Sequence, residues 1–204
     1  MVIYYLSMRM LIIVMSVIII SFIYNCDFIL RIWLKQVPAY TVILLDICFF
    51  ETFFDVMASN LKIGVHAAGK IKGYSIFQGI VKLLVIPLAV LCLLAGKHPE
   101  HIYILNTLST FVCVLLSVYY LKKYIPLFSV QDFCMKVSAM ILPVVPTILL
   151  LYLLTNLNIS EFSRLILSCG LILVSMSFFS YLFLGREERN VVNRMVKNKL
   201  FNRN

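Results

Sequence analysis

Three carboxylates and one ammonium stand inside stretches that are otherwise apolar, and they have more capacity for chemistry than any other side chains of this chain. Asp46, Glu51 and Asp55 interrupt one long apolar run, and Lys82 interrupts the next. On an insertion scale a central Asp costs ~2.5–3.5 kcal/mol, while each Leu, Ile, Phe or Val returns only ~0.3–0.6 kcal/mol. Three acids can therefore cancel the apolar gain of a whole helix, so they need partners, protons or water. At 100° per residue Glu51 and Asp55 lie about 40° apart on one helical face, whereas Asp46 points opposite to Asp55. If the two runs form a hairpin, Glu51 and Lys82 lie at matching depth, each about 12 Å from the same end at 1.5 Å per residue. Two readings of such a pair stand. It neutralises itself between packed helices, or it lines a polar cavity that binds an anionic head group or carries a coupling proton.

The elements that must hold these groups are six apolar stretches, near Met10–Leu30, Thr41–Leu61, Tyr74–Ala95, Ile102–Leu121, Val137–Thr155 and Phe162–Leu184. Each approaches or exceeds the ~20 residues that cross a ~30 Å hydrocarbon layer. Hydrophobic residues make up 62% of the chain and charged residues 13%, about half the ~25% of soluble domains. Mean hydropathy is +1.00. A water-soluble domain is excluded on this composition, and continuous apolar runs rule out the alternating pattern of a β-barrel. The expected fold is an all-α integral membrane protein. Six transmembrane helices occupy residues 1–185, and a basic amphipathic tail over 186–204 lies on the anionic inner leaflet.

Lys and Arg between the stretches set the orientation, because positively charged loops stay cytoplasmic. With the N-terminus inside, the inner segments hold thirteen basic residues and the outer ones only Arg31, Lys35, Lys97 and Arg164. Both termini are expected in the cytoplasm. The net charge of +9 then reflects topology and contact with membrane lipids, and no nucleic-acid partner is expected. Ile23, Tyr24 and Asn25 precede Cys26 where a cleavable signal needs small side chains. The chain is apolar from Val2 onward, as expected of one that begins inside a larger protein.

The remaining reactive residue types point to structure. The six cysteines are scattered singly and read as small apolar side chains. His98-Pro99-Glu100-His101 reads as a polar outer turn rather than a metal site. No catalytic constellation, metal or cofactor is expected, and an enzyme is not expected. Pro87, Pro143 and Pro146 should bend the third and fifth spans, as hinges, cavity walls or simple kinks. Ser109, Ser117, Gly170 and Ser175 allow helices to approach closely.

Two motifs flank the acid-dotted helix. Ile32-Trp33-Leu34 with Val37-Pro38-Ala39-Tyr40-Thr41 precedes it, and Ala67-Ala68-Gly69-Lys70-Ile71-Lys72-Gly73-Tyr74 follows it. In this order they resemble the polysaccharide-biosynthesis flippases, the O-antigen or lipopolysaccharide-unit translocases of the multidrug/oligosaccharidyl-lipid/polysaccharide exporter superfamily. The order of spans agrees over most of the chain, and the sharp motifs cover about residues 32–74. Lys35 departs from a glycine that often follows Trp-Leu, and His66 from a neutral polar residue before the alanines.

The resemblance implies a two-lobed exporter fold in the bacterial inner membrane, of which this chain is the C-terminal part, about one lobe, with a separate N-terminal lobe as partner. It implies translocation of a polyprenyl-pyrophosphate-linked oligosaccharide to the outer face by alternating access, coupled to an ion gradient. Lys82 would meet the pyrophosphate. Asp46, Glu51 and Asp55 would be candidates for coupling protonation, and Lys70 and Lys72 at the cytoplasmic mouth would attract the head group. Trp33, Pro38, Tyr40 and Gly69 are expected to be structural, as an interfacial anchor and fixed turns. Two alternatives stand beside this reading: a drug or metabolite exporter of the same superfamily, and an inactive truncated membrane fragment.

Overall fold

A computed structural model of the chain describes residues 2–34, 36–38, 40–69, 71–126, 128–155, 160–183 and 189. All regular structure among them is helical: α1 (Val2–Leu34), α2 (Thr41–Ala67), α3 (Ile71–Leu94), α4 (Glu100–Tyr124), α5 (Val130–Ile141), α6 (Val144–Thr155) and α7 (Glu161–Leu182). Among the described residues five segments, Tyr4–Leu34, Ile71–Leu94, Glu100–Tyr124, Val130–Thr155 and Glu161–Leu182, are long and apolar enough to cross a membrane. α2 has 27 residues and matches them in length, but it carries Asp46, Glu51, Asp55 and Lys62 along its course.

Helix lengths follow from where the sequence offers a stop. α1 contains neither Pro nor Gly, so its 33 residues run on past both ends of the expected Met10–Leu30 span, about 50 Å at 1.5 Å per residue. α2 and α3 end on glycines. Gly69 has φ 71° and Gly96 has φ 68°, a left-handed conformation that costs other residues ~1–2 kcal/mol. The Gly96 amide donates to Leu93 O and the Lys97 amide to Cys92 O, both at 3.0 Å, which satisfies two carbonyls that the end of α3 would leave open. The Gly69 amide donates to His66 O at 2.9 Å in the same way. Tyr40, at the start of α2, also has a positive φ of 73°, and the Thr41 amide there donates to Pro38 O at 3.2 Å.

The expected fifth span, Val137–Thr155, is two helices rather than one. Pro143 lacks an N–H and its ring crowds the preceding turn. The Leu142 amide still reaches Ser138 O at 2.9 Å, but the next bond in register is the shorter turn from Val145 N to Leu142 O at 3.3 Å. Pro146 sits in the first turn of α6, where an amide hydrogen would have no intrahelical acceptor. Pro87, by contrast, lies inside α3 without ending it.

The chain divides into two compact units, residues 22–133 and residues 1–21 with 134–204. In the first, α4 lies along both α2 and α3, while α2 and α3 barely touch. In the second, α6 lies on α7, with Thr147 Oγ1 and Ser175 Oγ buried 3.1 Å apart. Arg9 of α1 is 2% exposed and donates to Phe183 O just beyond the end of α7 at 3.0 Å, where the negative end of a helix dipole favours a cation. The Lys136 ammonium sits 3.8 Å over the Tyr5 ring.

Candidate functional site

α4 supplies the frame of the site. Asn106 and Thr110 are four residues apart, so they share one face of the helix. The Lys82 Nζ of α3 donates to Thr110 Oγ1 at 2.6 Å and, more weakly, to Asn106 Oδ1 at 3.4 Å. On the other side of the same amide, Asn106 Nδ2 donates to Glu51 Oε1 of α2 at 2.5 Å. Lys82 Nζ and Glu51 Oε1 are themselves 4.0 Å apart, with side chains 36% and 23% exposed. That separation keeps the charges in Coulombic reach but is too long for a hydrogen bond.

Polar geometry fixes each role. Thr110 gives its own proton to the Asn106 backbone carbonyl at 3.0 Å, so it can only accept from Lys82. Asn106 uses its carbonyl toward the ammonium and its NH₂ toward the carboxylate, the one amide orientation that satisfies both neighbours. The hairpin expected from the sequence would have set Glu51 directly against Lys82. Because α3 lies on α4 rather than on α2, the two meet across an amide of the intervening helix.

A second contact holds α3 in register on α4. Tyr74 is fully buried, and its hydroxyl lies 2.8 Å from Ser117 Oγ. Ser117 spends its own proton on Cys113 O at 2.7 Å, so Tyr74 is the donor. The Tyr74 and Tyr120 rings meet edge to face at 5.8 Å, and Gly73 lies beside Tyr120, whose Oη would be in ordinary contact, 3.5 Å, with a Cβ placed there. Lys82 follows Tyr74 by eight residues, or about 12 Å along the helix, so this clamp sets the height at which the ammonium meets Asn106.

The other carboxylates lie outside this network. Asp55 is exposed and makes no hydrogen bond or ion pair among the described residues, although it shares a helical face with Glu51. Asp46 is half-buried, and its Oδ1 is enclosed without a hydrogen-bond partner among the described residues. Lys72 is exposed at the start of α3. Lys35, Lys70 and, apart from Arg189, the 186–204 tail lie outside the described residues. Trp33 is 78% exposed at the end of α1, Pro38 is exposed in the turn that follows, and the Tyr40 ring lies 6.0 Å from that of His98.

Sequence reading passed over Asn106 and Thr110. Their signal was an amide and a hydroxyl at helical spacing in the fourth apolar stretch. No family model, curated protein or solved structure matches the chain.

Proposed function

We propose that this chain forms about one lobe, the C-terminal part, of a two-lobed flippase. It would carry a polyprenyl-pyrophosphate-linked oligosaccharide across the bacterial inner membrane for surface polysaccharide or lipopolysaccharide synthesis. The observation that carries the reading is the half-buried Lys82 ammonium, held by Thr110 and Asn106 and facing Glu51 at 4.0 Å. Ionisable groups at such depth are costly and mark substrate or proton paths. The motif likeness at residues 32–74 supplies the substrate class.

In this reading α2 is a sixth span, both termini are cytoplasmic, and an N-terminal lobe completes the cavity. Exposed Lys72 raises the local concentration of the anionic head group at the cytoplasmic mouth. Lys82 then donates to a pyrophosphate oxygen while the prenyl tail stays in lipid. As the anion takes over the ammonium, Glu51 loses its counter-charge and is a candidate carboxylate for the coupling proton. When the head group leaves, Lys82 again faces Glu51 across Asn106. Asp46 and Asp55 are the further carboxylates through which a coupling proton can pass.

The test is complementation in cells lacking their own flippase, with this chain expressed alone and with an N-terminal lobe from its genomic neighbourhood, scoring surface glycan. Rescue that needs the lobe and is lost in Lys82→Gln is the expected result. Verified insertion of both parts without any rescue sinks the reading in favour of an inactive remnant or another substrate.

A further inference from the structure

A lysine and a glutamate on neighbouring helices, each with a long flexible stem, ordinarily close to a charge-assisted bond of about 2.7–2.9 Å. Glu51 and Lys82 stop at 4.0 Å. Asn106 contacts both of them. Its Nδ2 occupies Glu51 Oε1 at 2.5 Å, its Oδ1 faces the ammonium at 3.4 Å, and Thr110 draws Nζ to 2.6 Å from its own oxygen. A lysine ammonium has three donors. Here one is committed to Thr110, one is engaged at long range by Asn106, and the third has no acceptor within hydrogen-bond distance among the described residues. The Lys82 side chain as a whole is 36% exposed.

We infer that Asn106 is a positioning residue that holds Glu51 off Lys82 and so keeps an ammonium donor open to a phosphate or pyrophosphate oxygen. A closed Lys–Glu pair would have to be broken before an anion could bind, and its release would have to be driven by the same amount. A pair held apart exchanges one partner for the other at little cost. Asn106 carries no charge, so it does this without competing for the anion. The inference rests on the proposed meeting of Lys82 with an anionic head group and adds the residue that makes the meeting possible.

The test uses the full chain in lipid nanodiscs, with acylation of Lys82 by a succinimidyl ester followed by mass spectrometry. The probes are inorganic pyrophosphate and a polyprenyl pyrophosphate, with the neutral polyprenol as control. In the wild type a pyrophosphate probe should slow acylation. Protection by both probes assigns a water-reachable anion site, and protection by the lipid alone assigns the head group in the bilayer. In Asn106→Ala, Lys82 should acylate more slowly without any anion, because Glu51 now covers it, and about tenfold more probe should be needed for protection. Asn106→Ala combined with Glu51→Gln should restore both, since no carboxylate remains to close on the lysine. If Asn106→Ala does not insert, Asn106→Ser serves, being polar but too short to touch both partners. Unchanged protection in the single variant, or no recovery in the double, overturns the spacer role and leaves the anion site standing. No protection of the wild type by either probe overturns the anion site itself, and the spacer with it.

Discussion

An amide can face a carboxylate and an ammonium at once because it carries both an acceptor and a donor, and that property decides what substitutions at this site do. Glu51→Lys or Lys82→Glu alone leaves two like charges around Asn106 and should sharply reduce the amount of monodisperse protein recovered from membranes. The double exchange should recover most of it, because Asn106 can turn its amide by 180° and serve the reversed pair. Detergent-solubilised yield by fluorescence size exclusion reads this, and failure of the exchange to rescue would mean that the two charges are not coupled. Tyr74→Phe removes the donor to Ser117 and should cost about 0.6 kcal/mol, rising to ~1.7 at most, the measured range for single hydrogen bonds between membrane helices. A small drop in melting temperature in detergent is the check. Charge made Glu51 and Lys82 legible in the sequence, since nothing else explains such groups amid apolar residues. Asn106 and Thr110 were illegible because neutral polar residues are tolerated in membrane helices without special cause, and only the path of α4 between α2 and α3 gives these two their neighbours.

Helix ends and breaks obey local rules, and those rules were largely readable. Gly69 and Gly96 each terminate a helix in the left-handed region with open space where a Cβ would go, so Gly69→Ala and Gly96→Ala should each cost about 1 kcal/mol from backbone strain alone. A thermal shift assay should show two similar, additive losses, and a neutral result at either site would remove its capping role. The proline at 143 announced a bend, but periodicity could not say that the span would part into α5 and α6, because that depends on which carbonyls find other donors. Thr147 gives one answer, donating to Pro143 O at 2.9 Å while it meets Ser175 of α7. In a background without native cysteines, Thr147→Cys with Ser175→Cys should form a disulfide on mild oxidation. Adding Pro143→Ala restores an amide donor, lets α5 run into α6, and should suppress the crosslink. Equal crosslinking with and without the proline would show that the break does not set the position of Thr147.

Across the molecule, the proposed topology with both termini inside assigns each loop to a compartment. Single cysteines replacing Lys97, between α3 and α4, and His101, in the first turn of α4, should react with a membrane-impermeant maleimide on intact cells. A cysteine replacing Lys72 or Lys123 should react only after permeabilisation. The opposite pattern would invert the topology and with it the direction assigned to transport. Arg9 carries a consequence for how the chain is made. One of its donors closes on Phe183, 174 positions downstream, and at ~5–20 residues per second the ribosome needs roughly 9 to 35 s to supply that acceptor. Through that interval this one contact of the guanidinium cannot form. A chain halted before residue 183 lacks that acceptor, so the tie between the first helix and the end of the last is among the latest contacts that synthesis allows.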